Sequence, residues 1–419
     1  MKLAKDPNST IKNTANKNSL TKTSYLKTPF GGGHYRAYLY VAVAVVLIFA
    51  VLFFYFQNFS NKSNSLTSVG LTTASSSNRS AVRRTTINSS TSTVTTSAES
   101  LVGNLSSIAC PSAKVCIAVG YYNNSGLVYI SNNSAQSFTQ VAIPTNTNSL
   151  NSIACPTRTN CIAVGLNSII YTTDGGLSWN SSSSFLKNVE YNSVTCISPT
   201  NCIVVGSNQA DFRSNIGVII SSNDNGKTFS QDKYLNNISA LDSIACSNQS
   251  DCIAVGGIVL VSSDSGKSWN IKPVPDGIDN LSSISCLNTT TCIAVGPNSL
   301  GMGDLSVSAN AIYTTDSGTS FSHISLGINS AFVNSIACNL NSCIAIGPNL
   351  KTNGSTVEFN VAISPNHTLG VSQINLIPPG TLLTATDSSI SEYFYGLGSI
   401  QHNPVIYKIN QNSAVKVGN

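Results

Sequence analysis

The stretch "SIACPTRTNCIAVG", Ser152 to Gly165, sets two cysteines six positions apart and follows the second with a short apolar run. Near copies recur along the chain. The pairs are Cys110/Cys116, Cys155/Cys161, Cys196/Cys202, Cys246/Cys252, Cys286/Cys292 and Cys338/Cys343, which uses all 12 cysteines. Each second cysteine opens "CIAVG" or a close variant, and successive first cysteines lie 40 to 52 residues apart. A repeated pair of this kind serves a metal, a redox centre or a staple. Zinc fits badly, because the spacing is not that of a zinc knuckle and the chain has only 4 histidines. Each pair also belongs to a different repeat, so four thiolates do not converge. No Cys-x-x-Cys redox motif is present. A hairpin staple is simpler: one strand ends at the first cysteine and the next begins at the second, directly opposite across an antiparallel ladder, within disulfide reach. Six such bridges are expected, each stabilising by about 2–3 kcal/mol and all requiring an oxidising compartment.

Within each period, short Ile/Val/Thr/Tyr runs alternate with Asn/Gly/Ser/Pro turns, and no long helical periodicity appears. A second motif follows each of four pairs: "TTDGGLSW" (172–179), "SNDNGKTF" (222–229), "SSDSGKSW" (262–269) and "TTDSGTSF" (314–321). A degraded form, "SNNSAQSF" (131–138), follows the first. Each reads as strand, tight turn, then a strand opening on an aromatic. One repeat therefore has four strands: A ends at the first cysteine, B starts at the second, C precedes the aspartate and D runs from the aromatic. Four strands per 40–50 residues is the signature of a propeller blade. A blade without cysteines fits the tail, with strands at 382–389, 392–398, 404–410 and 414–419. The expected fold is all-β: a seven-bladed β-propeller over 100–419, six blades with cysteine pairs and one degenerate C-terminal blade.

The motif Ser/Thr-x-Asp-x-Gly-x-x-Trp/Phe resembles the Asp-box of BNR-repeat propellers, a superfamily that includes sialidases, sortilin-like receptors and photosystem II assembly factor-like propellers. The resemblance covers about three-quarters of the chain. It implies a structural role for Asp174, Gly176, Trp179, Asp224, Gly226, Phe229, Asp264, Gly266, Trp269, Asp316, Gly318 and Phe321: the aspartate caps the C–D turn and the aromatic packs between blades. It does not carry sialidase activity over, because that family needs three arginines at its site and the propeller has only Arg158 and Arg213.

Only 9% of residues are charged, against about 25% in ordinary soluble domains. Residues 1–37 hold seven Lys/Arg and one acid, whereas residues 100–419 hold eleven Lys/Arg and fifteen Asp/Glu, which is not the balance of a nucleic-acid binder. Residues 37–56, "AYLYVAVAVVLIFAVLFFYF", carry no charge and match the length of a membrane-spanning helix. Residues 1–36 then form a basic cytoplasmic tail, and the propeller is extracytoplasmic on a cell membrane. Residues 57–99 are Ser/Thr/Asn-rich and read as a flexible stalk. Sequons at Asn58, Asn61, Asn78 and Asn88, and beyond them at Asn104, Asn123, Asn180, Asn237, Asn280, Asn288 and Asn366, suit a glycoprotein. The scarcity of carboxylates, together with the disulfides, suggests tolerance of an acidic exterior.

In a propeller the A–B and C–D turns share one face, and the B–C and D–A connections the other. The first face repeats regularly here. The B–C connection is minimal in blades two and four and long in blades three (207–217), five (297–311) and six (348–360). Unequal loops on a rigid scaffold suit binding. The candidates are Asp211, Phe212, Arg213, Leu300, Met302, Asp304, Lys351 and Phe359, followed by Tyr121 and His402. The expected function is a non-enzymatic binding or assembly scaffold for a protein or glycan, with no catalytic residue, cofactor or metal. One alternative is a glycosidase-like hydrolase drawing two carboxylates from Glu190, Asp211, Asp304 and Glu358. The other is a structural envelope protein.

Overall fold

The computed structural model describes residues 101–419, apart from 210–215, 231–233, 298–308, 327–332, 340–341, 350–354, 364–368, 375, 379–380, 389–392, 411 and 418–419. The basic tail, the expected membrane helix and the stalk lie outside the described residues.

The architecture is an all-β propeller. Seven four-stranded sheets follow one another along the chain, each an antiparallel meander in sequence order. Sheet two shows the plan, with strands Leu150–Ala154, Cys161–Gly165, Ser168–Thr172 and Asn180–Ser181. The tail forms the seventh sheet, without cysteines, from Thr381–Ser388, Phe394–Ile400, Asn403–Ile409 and Ala414–Val417.

The "CIAVG" run is continuously apolar because both faces of its strand are buried, as in any strand with a sheet packed on each side. Ile117 and Val119 of sheet one turn towards Leu150, Ile153 and Ile170 of sheet two. Cys116 and Ala118 of the same strand turn the other way, towards Tyr395, Leu397 and Ile406 of sheet seven. Each successive pair of sheets encloses such a cluster, and the last sheet packs against the first.

The glycine that ends "CIAVG" answers a bulge. In sheet two the register shifts between Leu150 and Ser152, so Asn151 is extra and the strand bends. The same shift occurs between Leu105 and Ser107, Leu241 and Ser243, and Leu383 and Ala385, and opposite Val205/Gly206 in sheet three. It brings the first strand so close that a Cβ on Gly165 would collide with the Ser149 carbonyl. Gly120, Gly206, Gly256, Gly296 and Gly398 stand in the same relation to their neighbours.

Three sequence expectations need correction. The fourth strand of sheet three does not run from Phe229 but spans Tyr234–Ser239. The backbone at Phe229 is engaged elsewhere: its N–H donates to the Ser184 carbonyl at 3.0 Å, and Thr228 bridges Ser184 in parallel. In sheet three the second and third strands extend to Asn208 and from Ile216, which shortens the expected 207–217 loop to 209–215. In sheet six the strands Cys343–Asn349 and Ser355–Ile363 leave a connection of 350–354 only, and Phe359 stands inside a strand opposite Ala345 and Gln373. The alternating run "STVEFNVAI" prolongs that ladder.

Candidate functional site

Two faces of the propeller differ in how they are held. On one, all six cysteine pairs are disulfides, and no free cysteine remains among the described residues. Their Cα atoms lie 3.9–4.1 Å apart, and Cys196–Cys202, Cys246–Cys252, Cys286–Cys292 and Cys338–Cys343 are directly opposed in the ladder.

The aspartate turns lie beside these hairpins. In sheet two, Asp174 Oδ1 accepts from Thr172 Oγ1 (2.7 Å) and from the Ser178 N–H (3.0 Å), and its Oδ2 accepts from Ser178 Oγ (2.5 Å). Thr172 Oγ1 in turn accepts the Gly176 N–H at 3.1 Å. Asp224, Asp264 and Asp316 repeat the pattern. Asn133 reproduces it without a charge in the degraded copy. Burial opposes ionisation at Asp174, Asp224 and Asp316, but hydrogen bonds from the turn outweigh it and lower all three carboxyls. Asp174 is brought down to about 2. At Asp264 the Ser268 hydroxyl leads the same effect, again to about 2. Gly176, Gly226, Gly266 and Gly318 have φ of +93, +78, +81 and +85°, and each packs on the isoleucine of the preceding sheet's "CIA" run: Ile117, Ile162, Ile203 and Ile253. Trp179 and Phe229 are buried in the cluster shared with the preceding sheet, and Trp269 and Phe321 pack partly buried against theirs.

Backbone bonds tie each turn to its own hairpin: Ser134 to Lys114 (2.9 Å), Gly175 to Thr159 (2.8 Å), Asn225 to Thr200 (3.2 Å), Ser265 to Ser250 (2.9 Å) and Ser317 to Thr290 (2.9 Å). Staples and aspartate turns thus share one face and hold it rigid. The opposite face carries the second-to-third-strand connections. These are two residues long in sheet two, 166–167, and in sheet four, 257–258, but span 297–309 in sheet five.

Among the candidate binding residues, Asp211, Phe212, Arg213, Leu300, Met302, Asp304 and Lys351 lie outside the described residues. The backbone of Phe359 and of Glu358 lies in the third strand of sheet six. Tyr121 is half-buried in the second strand of sheet one, and His402 sits exposed in a left-handed turn with φ +69°.

Sequence reasoning missed the propeller's central channel. A cavity of about 310 Å³ is lined by the first strands of all seven sheets, and chiefly by hydroxyl and carboxamide groups. The serine of each "SIA" run belts these strands together. Its Oγ accepts a backbone N–H of the next sheet: Ser107 from Ile153, Ser152 from Val194, Ser193 from Ile244, Ser243 from Ile284, Ser283 from Ile336 and Ser335 from Thr386, at 2.9–3.3 Å. The repetition of that serine was a readable signal. Its partners were not, because they lie 41–53 residues away.

The bulged position faces the same channel as Ser106, Asn151, Asn192 and Asp242. Asn151 and Asn192 donate onward to the Tyr191 and Leu241 carbonyls. Asp242 is the exception in charge. Burial, and secondarily the neighbouring Glu190, push its carboxyl up to about 6. Glu190 Oε2 accepts from Gln209 Nε2 at 3.0 Å, and Gln209 begins the 209–215 connection that carries Asp211, Phe212 and Arg213.

Comparison with solved structures agrees with this architecture. The chain superposes on an ancestral GH74 enzyme with a TM-score of 0.59 at 13% identity, covering 76% of this chain and 46% of that one, so it spans about half the enzyme's length. It superposes on U3-55K with a TM-score of 0.53 at 10% identity over 77% and 98% of the two chains. For YCF48 from Cyanidioschyzon merolae the TM-score is 0.52 at 14% identity, over 73% and 95%. No protein-family model and no curated protein matches the sequence. The fold and channel define the class: this is a β-propeller. The similarity to enzymatic and non-enzymatic propellers alike concerns the fold alone.

Proposed function

We propose that the chain is a single-pass membrane protein whose propeller, of the Asp-box type and closed by seven blades, stands outside the cell on a Ser/Thr/Asn-rich stalk. It acts there as a non-enzymatic scaffold that binds a protein or glycan through the face with unequal loops. The observation that carries this reading is the bonding of five turns, four with aspartate and one with Asn133, to their stapled hairpins. That face is committed to structure, so variation between blades falls on the other. Six disulfides support an oxidising location. Packing of the seventh sheet on the first supports seven blades. The uncharged run 37–56 supports the anchor.

Crosslinking of neighbours on intact cells, followed by mass spectrometry, tests the reading. A Phe212→Ala/Arg213→Ala double variant and a protein with 297–309 replaced by the two-residue connection of sheet four should lose the captured partner. Unchanged capture by both would place binding elsewhere.

A hydrolase is the second reading. One observation favours it: the Asp242 carboxyl is raised to about 6 by burial and by the neighbouring Glu190, the kind of carboxylate pair that glycosidases use. Turnover of any substrate in a glycan panel, abolished by Asp242→Asn, would replace the scaffold reading.

A further inference from the structure

The central channel holds two acceptors that nothing in the described protein serves. Asp242 projects from the bulge in the strand Leu241–Cys246, and no hydrogen bond to its carboxyl accompanies its burial. On the sheet-six wall of the same cavity, Asn334 Oδ1 is fully buried without a donor. Buried acceptors left without donors are costly, and a buried carboxyl without a counter-charge more so.

Among the described residues, the strands packed around Asp242 offer no cation. The strands packed on Leu241–Cys246 are Val189–Cys196, Cys202–Asn208, Cys252–Gly256 and Ser283–Cys286. Their titratable side chains are Glu190 and Tyr191, and their cysteines are all in disulfides. The Tyr191 hydroxyl donates to the Leu186 carbonyl, away from Asp242. The rest of the wall is serine, asparagine and backbone, whose oxygens can each accept a further hydrogen bond. The cavity lacks one kind of group: a compact positive charge bearing several N–H donors.

We propose that the central channel binds an alkylammonium or alkylguanidinium group, held by Asp242, completed by the oxygens of the channel wall and favoured by the negative charge of nearby Glu190. The group is either a lysine or arginine side chain of a protein partner or a free amine. The inference rests on the loop face being the binding face, because Glu190 is bonded through Gln209 to the foot of the 209–215 connection. Cation binding favours the ionised form of Asp242. Affinity should therefore rise as pH passes through about 6.

The test is calorimetric titration of the full chain in detergent with agmatine, with spermidine and with a short peptide carrying one arginine. A peptide with citrulline at that position is the neutral control. Binding at pH 7.5 should weaken about tenfold at pH 5, where Asp242 is largely protonated. It should be lost in Asp242→Asn, reduced in Glu190→Gln and absent with citrulline. A peptide that outbinds both free amines identifies a protein side chain as the natural group, and the reverse order identifies a free amine. Binding that survives in Asp242→Asn, binding equal at the two pH values, calcium displacing the amines completely, or no binding at all would each overturn the proposal. A failure to capture any macromolecule would leave agmatine binding unaffected, so the two readings fail separately.

Discussion

The aspartates divide into two kinds by what surrounds them. Asp174 is wrapped by donors from its own turn and stays ionised down to about pH 2. Its folded value lies below the unfolded one, so its stabilisation is present above about pH 4 and is lost as pH falls towards 2. Asp174→Ala should therefore lower the melting midpoint at pH 5 and make no difference at pH 1.5, as measured by circular dichroism across a pH series. Asp242 behaves oppositely. Its folded value of about 6 exceeds the unfolded one, so its contribution is full below about pH 4 and falls as pH rises through 6. Asp242→Asn should leave stability at pH 3 unchanged and raise it at pH 8 by about 3 kcal/mol, the equivalent of a shift of about two units. A denaturant midpoint that fails to rise at pH 8 would contradict the burial assigned to this carboxyl. Asp242 favours a protein that keeps its fold in mild acid, whereas the turn aspartates withdraw their stabilisation below about pH 4.

At the level of the element, the unit is a hairpin in which three local features agree. The cysteines sit opposite one another, the apolar run after the second is buried on both faces, and the closing glycine admits the bulged strand. The opposed cysteines and the apolar run were legible in one period of sequence, because they concern residues within a few positions or directly across a ladder; the bulge that the glycine admits emerged only from the strand register. Replacing Cys155 and Cys161 together by serine should cost about 2–3 kcal/mol of equilibrium stability while leaving the far-ultraviolet spectrum intact. Chemical reduction of the unmodified protein should cost more than this single double variant. The B–C connections were less legible. Strands lengthened wherever an alternating pattern continued past the repeat, as in 355–363, and that moved Phe359 from a loop into a sheet.

At the scale of the molecule, no sheet is complete alone. Each lends one face of its "CIAVG" strand to the next sheet, and the serine belt ties neighbouring inner strands. Removing the last sheet would expose Leu105, Ile108 and Tyr129, which are buried against Tyr395, Leu397 and Ile406. A chain ending at residue 378 should therefore lose cooperative unfolding and aggregate on gel filtration, whereas loss of one staple should not have that effect. Persistence of a monomeric, cooperatively unfolding truncation would show that the first and last sheets do not depend on each other.

The repeat, the staples, the four-strand unit, the seventh cysteine-free sheet and the division into a regular face and an irregular one were all readable from residue spacing, because they depend on local ladder geometry and turn chemistry. The channel was not readable. Asp242 occupies the same place in its repeat as Ser106, Asn151 and Asn192, and in sequence it is one polar residue before a strand. Only closure of successive sheets about a common axis partly buries it on the channel wall and brings Glu190, 52 residues earlier in the chain, close enough to oppose its charge.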